Sequence, residues 1–237
     1  MRRVLLVTTL LALMITACAP VALTEVPSFI VIRTTPTPTP EPQPTPGPAE
    51  HAVIDQLSAN LRLPESDISV VKSEEVEFSD ACLDVALEGV MCLQVVTPGR
   101  VIVLKAKGVQ YSYHTSEDGS RVQPVTLALI WKREGGIAGF CDTLTVFRSG
   151  EVYTSSCKQS GRMGTFADLL SAQEQAQFSA WIAKLAQTDL DASDPKGVAD
   201  RMMVALRLFG TGRKPPTKSE QQELFKFAQS LYHELAQ

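Results

Sequence analysis

The chain has 237 residues, with 22 Lys and Arg against 26 Asp and Glu, a formal net charge of −4 and 44% hydrophobic residues. This acidic balance argues against a nucleic-acid partner and against a polybasic membrane patch, both of which need excess positive charge. The length allows one large core or two small ones once non-globular segments are set aside.

Arg2 and Arg3 give a short positive start, and Val4 to Ile15 is an apolar run broken only by threonines. That run is too short to cross a hydrocarbon layer of ~30 Å as a helix, so it reads as an export signal rather than a span. A twin-arginine reading lacks the wider motif. The four residues Ile15-Thr16-Ala17-Cys18 resemble the lipobox of bacterial lipoproteins. The resemblance implies a signal over 1–17, a fatty acyl (palmitate) anchor on Cys18, and an extracytoplasmic location in the bacterial cell envelope. An ordinary signal peptide would leave an odd fifth cysteine unexplained. Removing residues 1–17 takes away Arg2 and Arg3 and leaves 20 basic residues against 26 acidic ones, a net charge of −6.

Between Thr34 and Pro48 nearly every second residue is proline, alternating with Thr, Glu and Gln. Proline fixes φ and removes a backbone donor, so residues 18–49 are expected as a lipidated start followed by a semi-rigid polyproline-II linker. Fully extended, the proline-rich part would reach roughly 45 Å. It serves either to reach a partner or only to hold a domain clear of lipid.

Four cysteines follow Cys18: Cys82, Cys92, Cys141 and Cys157. An even number in an oxidising compartment suggests two disulfides, with three connectivities available. The two short-range pairs are favoured.

A first folded unit is expected over 50–124. Val53, Ile54, Leu57 and Leu61 recur at helical spacing and Pro64 ends that helix. Runs of β-forming residues follow at Ile68–Phe78, Cys92–Val96, Arg100–Ala106 and Val109–Thr115, separated by Thr97-Pro98-Gly99, Lys107-Gly108 and Glu117-Asp118-Gly119. Proline and glycine at these positions preset turn dihedrals, so the segments read as hairpins. One helix on an antiparallel sheet is an α+β arrangement. Ten-residue spacing between Cys82 and Cys92 matches no zinc signature, which leaves a disulfide rather than a metal pair. His114 alternates with Tyr111 and Tyr113, placing it with Gln110 and Ser112 on the solvated face of its strand.

Three stretches of this unit are similar to a domain of bacterial envelope lipoproteins: Glu77-Phe78-Ser79-Asp80-Ala81-Cys82-Leu83, Cys92 to Gly99, and Tyr111-Ser112-Tyr113-His114-Thr115 with Asp118-Gly119. The chain carries Phe78 where that domain has tryptophan, Asp84 where it has a glycine region, and Arg100 where it has tyrosine. The order of helix, strands and closing Tyr-x-Tyr hairpin also resembles PepSY-like domains. The first resemblance brings no activity, cofactor or catalytic residue with it.

A second unit is expected over 125–237. Val125, Leu127, Leu129 and Trp131 alternate along one strand. Gly135-Gly136 and Gly139 lack the Lys-Ser/Thr of a phosphate-binding loop and read as a bend into the next strand. If Arg148-Ser149-Gly150 is a three-residue turn with glycine in the left-handed position, paired residue numbers sum to 298, which sets Cys141 opposite Cys157 within disulfide reach. Ser171-Ala172-Gln173-Glu174 is a capping box before a helix whose Phe178, Trp181, Ile182 and Leu185 share one face. Asp189, Asp191 and Asp194 miss the spacing of a calcium loop and read as a solvated loop. Arg201–Phe209 reads as an internal strand. Thr217 to Glu220 opens a last helix with Leu224, Phe227, Ala228, Leu231 and Leu235 buried and His233 off the stripe.

No G-x-S-x-G or H-E-x-x-H motif is present, and His51, His114 and His233 are the available imidazoles. The sequence therefore predicts no enzyme, no metal site and no cofactor. It points to a membrane-anchored binding or interaction module with an envelope protein or cell-wall partner. The alternatives are a structural envelope-maintenance lipoprotein and a secreted hydrolase, which would require a buried carboxylate with a shifted pKa in a cleft. A binding module predicts an exposed apolar or concave patch, and a maintenance role predicts an ordinary polar surface.

Overall fold

The computed structural model describes residues 46–87, 90–158 and 165–236. The export signal, Cys18 and most of the proline-rich linker lie outside these residues, as do Glu88 and Gly89 of the Cys82–Cys92 loop. The fold is α+β, with two antiparallel sheets of four and six strands.

Helix α1, Pro48–Leu61, starts with proline in its first turn, where the missing N–H costs nothing. Glu50 accepts from the Gly47 amide at 3.0 Å, and the helix ends with Arg62 in the left-handed region. The first sheet has the order β1 (Ile68–Phe78), β2 (Thr97–Ala106), β3 (Val109–Ser116), β4 (Val122–Pro124). Helix α1 buries Val53, Ile54 and Leu57 against Ile102, Leu104, Tyr111 and Tyr113. Lys107 and Gly108 both have positive φ, the requirement of a tight hairpin whose twist matches its strands.

Two expectations for this unit are corrected. Thr97-Pro98-Gly99 is no turn but the start of β2, and Cys92–Val96 is no strand. The reason is the length of β1. Its last pair is Phe78 with Thr97, and beyond it residues 79–84 form a bend and turn, so residues 92–96 meet that segment through the Ala81 amide donating to the Leu93 carbonyl at 2.9 Å and not through a strand ladder. Pro98 has no amide to give, and its carbonyl accepts from the Glu117 amide at 3.3 Å. At Gly99 a Cβ would lie 2.1 Å from the Thr115 carbonyl oxygen and 2.8 Å from the Phe78 ring. Gly99→Ala is therefore expected to cost about 3 kcal/mol through backbone displacement, read as a lower urea midpoint.

The second sheet has the order β8 (Thr165–Leu169), β7 (Glu151–Ser156), β6 (Phe140–Phe147), β5 (Leu127–Gly135), β10 (Met202–Thr211), β9 (Ala186–Asp191). Helices α2 (Ala172–Lys184) and α3 (Lys218–Leu235) cover one face. Both begin with the expected capping boxes, at Ser171 with Glu174 and at Thr217 with Glu220. Phe178, Trp181 and Ile182 of α2 and Leu224, Ala228 and Leu231 of α3 meet Leu129, Trp131, Leu144, Leu206 and Leu208 of the sheet. Strand β10 lies between β5 and β9, the internal place expected for it. The β6–β7 register, Asp142 with Ser156 through Val146 with Val152, is the predicted one, and Gly150 has φ of 98°.

Asp189 and Asp191 do not sit in a loop. They belong to β9, a polar edge strand in which Arg207 of β10 donates to Asp189 at 2.5 Å. Charge on an edge strand discourages pairing with other chains, which is why its composition reads as a loop. Asp194 lies beyond β9 and accepts from the Met202 amide at 2.9 Å.

The sheets join through Val125 and Thr126. The Val125 amide donates to the Ser112 carbonyl at 2.9 Å, the Ser112 amide donates to the Thr126 hydroxyl at 3.2 Å, and the Arg148 amide donates to the Thr126 carbonyl at 2.9 Å. A small apolar cluster of Val85, Phe147 and Tyr153 fills the space beside this joint.

Candidate binding site

Both disulfides have the short-range pairing, with Cα–Cα distances of 5.6 Å for Cys82–Cys92 and 5.7 Å for Cys141–Cys157. The first one closes a loop built on two aspartates. Asp80 accepts from the Cys82 and Asp84 amides at 2.8 and 3.0 Å, and Asp84 accepts from the Ser79 amide at 2.9 Å. These bonds turn the chain just past β1, with Leu83 and Asp84 both at positive φ. Asp80, Cys82 and Cys92 lie within 4.8 Å of one another, but the sulfurs are bonded together, so a single carboxylate is left as a ligand.

Leu83 is fully buried, and its carbonyl accepts from His114 Nδ1 at 2.7 Å. The Phe78 ring lies 4.8 Å from the imidazole. His114 is thus half-buried and fastens the disulfide loop to β3, a correction of the solvated histidine expected from strand alternation. His51 and His233 are exposed, on α1 and α3.

Met91, the last residue inside the loop, and Leu93, Val95 and Val96 just past it are 85%, 76%, 52% and 63% exposed. Four exposed large apolar side chains within six residues are a concentration of apolar surface of the kind that marks an interaction site. They are anchored on one side by the disulfide and on the other by β2.

A cavity of about 400 Å³ lies where α1, the disulfide loop, β4 and β7 meet. Val85, Val122 and Tyr153 contribute apolar wall; Gln56, Asn60 and Glu151 contribute polar wall. Glu151 is 1% exposed. Its Oε1 accepts from Asn60 at 2.5 Å, Gln56 at 3.0 Å and the Tyr113 hydroxyl at 3.5 Å, and its Oε2 accepts from the Ser149 hydroxyl. Burial, and then the Glu151 charge, push the phenols of Tyr113 and Tyr153 well above the ordinary value. Gln123 also lines the cavity, and its buried Oε1 has no hydrogen-bond partner.

A second buried carboxylate lies under α3. Asp142 Oδ2 accepts from Arg133 Nε at 3.0 Å and Nη2 at 2.6 Å, while Oδ1 accepts from Tyr232 and Ser156, each at 2.8 Å. Burial pushes its pKa up, but the bonds from Arg133, Tyr232 and Ser156 outweigh it and hold the carboxyl below its ordinary 3.8. Asp142 is therefore an ionised acceptor near neutral pH rather than a proton donor. Neither carboxylate was visible to sequence reasoning, because each stands alone in a β-forming run and its donors come from 38 to 95 residues away in several cases.

Residues 50–124 match the model of a family described as Domain of unknown function (DUF8738). The match runs from within α1 to the end of β4 and covers about a third of the chain. No curated protein and no solved structure matches the chain.

Proposed function

We propose that the chain is a lipoprotein of the bacterial cell envelope, anchored by acyl groups on Cys18 and facing the extracytoplasmic side, whose folded part binds a protein partner and performs no catalysis. The anchor rests on the lipobox-like Ile15-Thr16-Ala17-Cys18, and the reach on the proline-rich linker. Among the described residues no helix is long and apolar enough to cross a membrane. The observation that carries the binding reading is the exposed run Met91, Leu93, Val95 and Val96. These residues have strand-forming character without a strand partner, and a partner that covers them would remove apolar surface from water at ~25 cal/mol per Å².

Two measurements test this reading. Palmitate labelling should mark the wild-type chain and be lost completely in Cys18→Ser; equal labelling of both would remove the anchor. A photo-crosslinking residue placed at Leu93 should capture one envelope protein in intact cells, whereas the same residue at the exposed Glu234 should not. Identical crosslinks from both positions, or none from Leu93, would remove the patch as the docking surface.

A further inference from the structure

We propose that the exposed apolar residues Leu93, Val95 and Val96 and the acidic concavity that follows them form one docking surface, and that its partner is a polypeptide segment joining apolar side chains to lysine or arginine. This rests on the docking reading above and adds the chemistry of the partner.

The surface lies outside the Cys82–Cys92 loop. Two residues past Val96, the exposed Pro98 stands opposite Glu77 of β1. Here a concavity of about 320 Å³ opens between the end of β1, the start of β2 and the residue after β3. Glu75, Glu77, Pro98 and Glu117 line it, and the Glu117 amide donates to the Pro98 carbonyl at 3.3 Å, which ties its two sides together. Glu75 is paired with Arg100 at 2.5 Å, and Arg100 also reaches Glu50 at 3.2 Å. Glu77 and Glu117 are exposed, and neither has an ion-pair partner among the described residues. Apolar surface thus passes within a few residues into surface that is acidic and only partly compensated.

That neighbouring charge selects the occupant. An apolar patch by itself suits a bilayer as well as a protein. Anionic lipid surfaces attract lysine and arginine and by the same field repel carboxylates, and the net charge of −4 over the whole chain adds to the repulsion. A metal ion is a poor fit, because the carboxylates of the concavity do not converge as a ligand set does. A polypeptide can meet both halves at once, with apolar side chains over Leu93, Val95 and Val96 and cations beside Glu77 and Glu117. The result is an apolar centre with a charged rim, in which complementary charge sets encounter and register.

The test uses the oxidised full-length chain in detergent and follows the ¹⁵N carboxamide signal of Gln94 and the ¹³C methyl signals of Val95 and Val96. The probes are three end-blocked peptides that share an apolar half of leucine and valine and carry lysine, glutamine or glutamate in the other half. At low ionic strength the lysine peptide should shift these signals saturably and bind about fivefold more tightly than the other two, and molar salt should remove that advantage. In Glu77→Gln with Glu117→Gln the lysine peptide should fall to the affinity of the glutamine peptide, whereas in Leu93→Ser all three should weaken. With the chain reconstituted in vesicles of phosphatidylethanolamine and phosphatidylglycerol, a photo-crosslinking residue at Leu93 should form no lipid adduct. The inference is overturned if the lysine peptide does not bind, if the glutamine or glutamate peptide binds as tightly, or if Leu93 crosslinks to lipid. The substituted side chains are exposed, and the comparison of peptides on the wild-type chain decides without the variants. Capture of an envelope protein at Leu93 in cells without a preference for the lysine peptide would leave the docking surface standing and remove only its basic partner. No capture at Leu93 would remove both.

Discussion

Asp142→Ala is expected to lower the unfolding free energy by about 3–5 kcal/mol, the cost of removing one partner from a buried ion pair. Arg133 would be left with a side chain only 11% exposed, stacked 3.8 Å over the Phe140 ring and without its counter-charge. Tyr232 and Ser156 would lose their acceptor as well. The loss should appear as a shift in the urea midpoint at pH 7. Removing both charges by Arg133→Met with Asp142→Leu should recover much of it, since apolar replacement of a buried pair is often neutral. Acid should act in the same direction as the alanine variant. A carboxyl held below its ordinary value stabilises the fold above the unfolded pKa of 3.8, and that contribution is lost as pH falls through the folded value. The wild-type chain should therefore lose stability below about pH 4 more steeply than the doubly substituted one. Matching acid limbs in the two proteins would show that Asp142 is not the group responsible.

The elements that local pattern could reveal were those whose periodicity and punctuation agree. Helix α3 has a capping box, a long apolar stripe and a length of 18 residues, and it lies where its sequence places it. The β6–β7 hairpin follows from a single glycine at a turn, and the Cys141–Cys157 disulfide follows from the register. Edge strands were harder to see. Strand β9 reads AQTDLD, with Leu190 its one buried residue, and β4 spans three residues, so both owe their strand conformation to neighbours distant in sequence. Cys92–Val96 fails in the opposite sense: its residues favour a strand, but β1 ends too soon to pair with it. Tyr232 was missed as a core residue because its hydroxyl is satisfied by Asp142, 90 residues earlier in the chain. The exposed patch and the cavity are both consequences of such long-range closures, which composition cannot encode locally.

Glu151 is the residue on which the two sheets depend together. It begins β7 of the second sheet, yet Gln56 and Asn60 of α1 and Tyr113 of β3, all on the first sheet's side, donate to its Oε1. Its other oxygen accepts from Ser149, in the turn just before it. Glu151→Ala would strand four donors at once, three of them belonging to the buried residues Asn60, Tyr113 and Ser149. The expected loss is about 3–5 kcal/mol, because each unsatisfied buried polar group carries its own desolvation penalty of roughly 1–3 kcal/mol and relaxation recovers part of the sum. Both tryptophans, Trp131 and Trp181, lie in the core of the six-stranded sheet, so their fluorescence reports that sheet alone, while far-ultraviolet circular dichroism reports both. In the wild-type chain the two probes should trace one urea transition. In Glu151→Ala the circular dichroism curve should begin to fall at lower urea than the fluorescence curve, as the α1 sheet releases first while the larger core with its two helices holds. Coincident curves in the variant, shifted together, would instead mean that the apolar contacts of Val85, Phe147 and Tyr153 and the Val125–Thr126 joint suffice to couple the sheets.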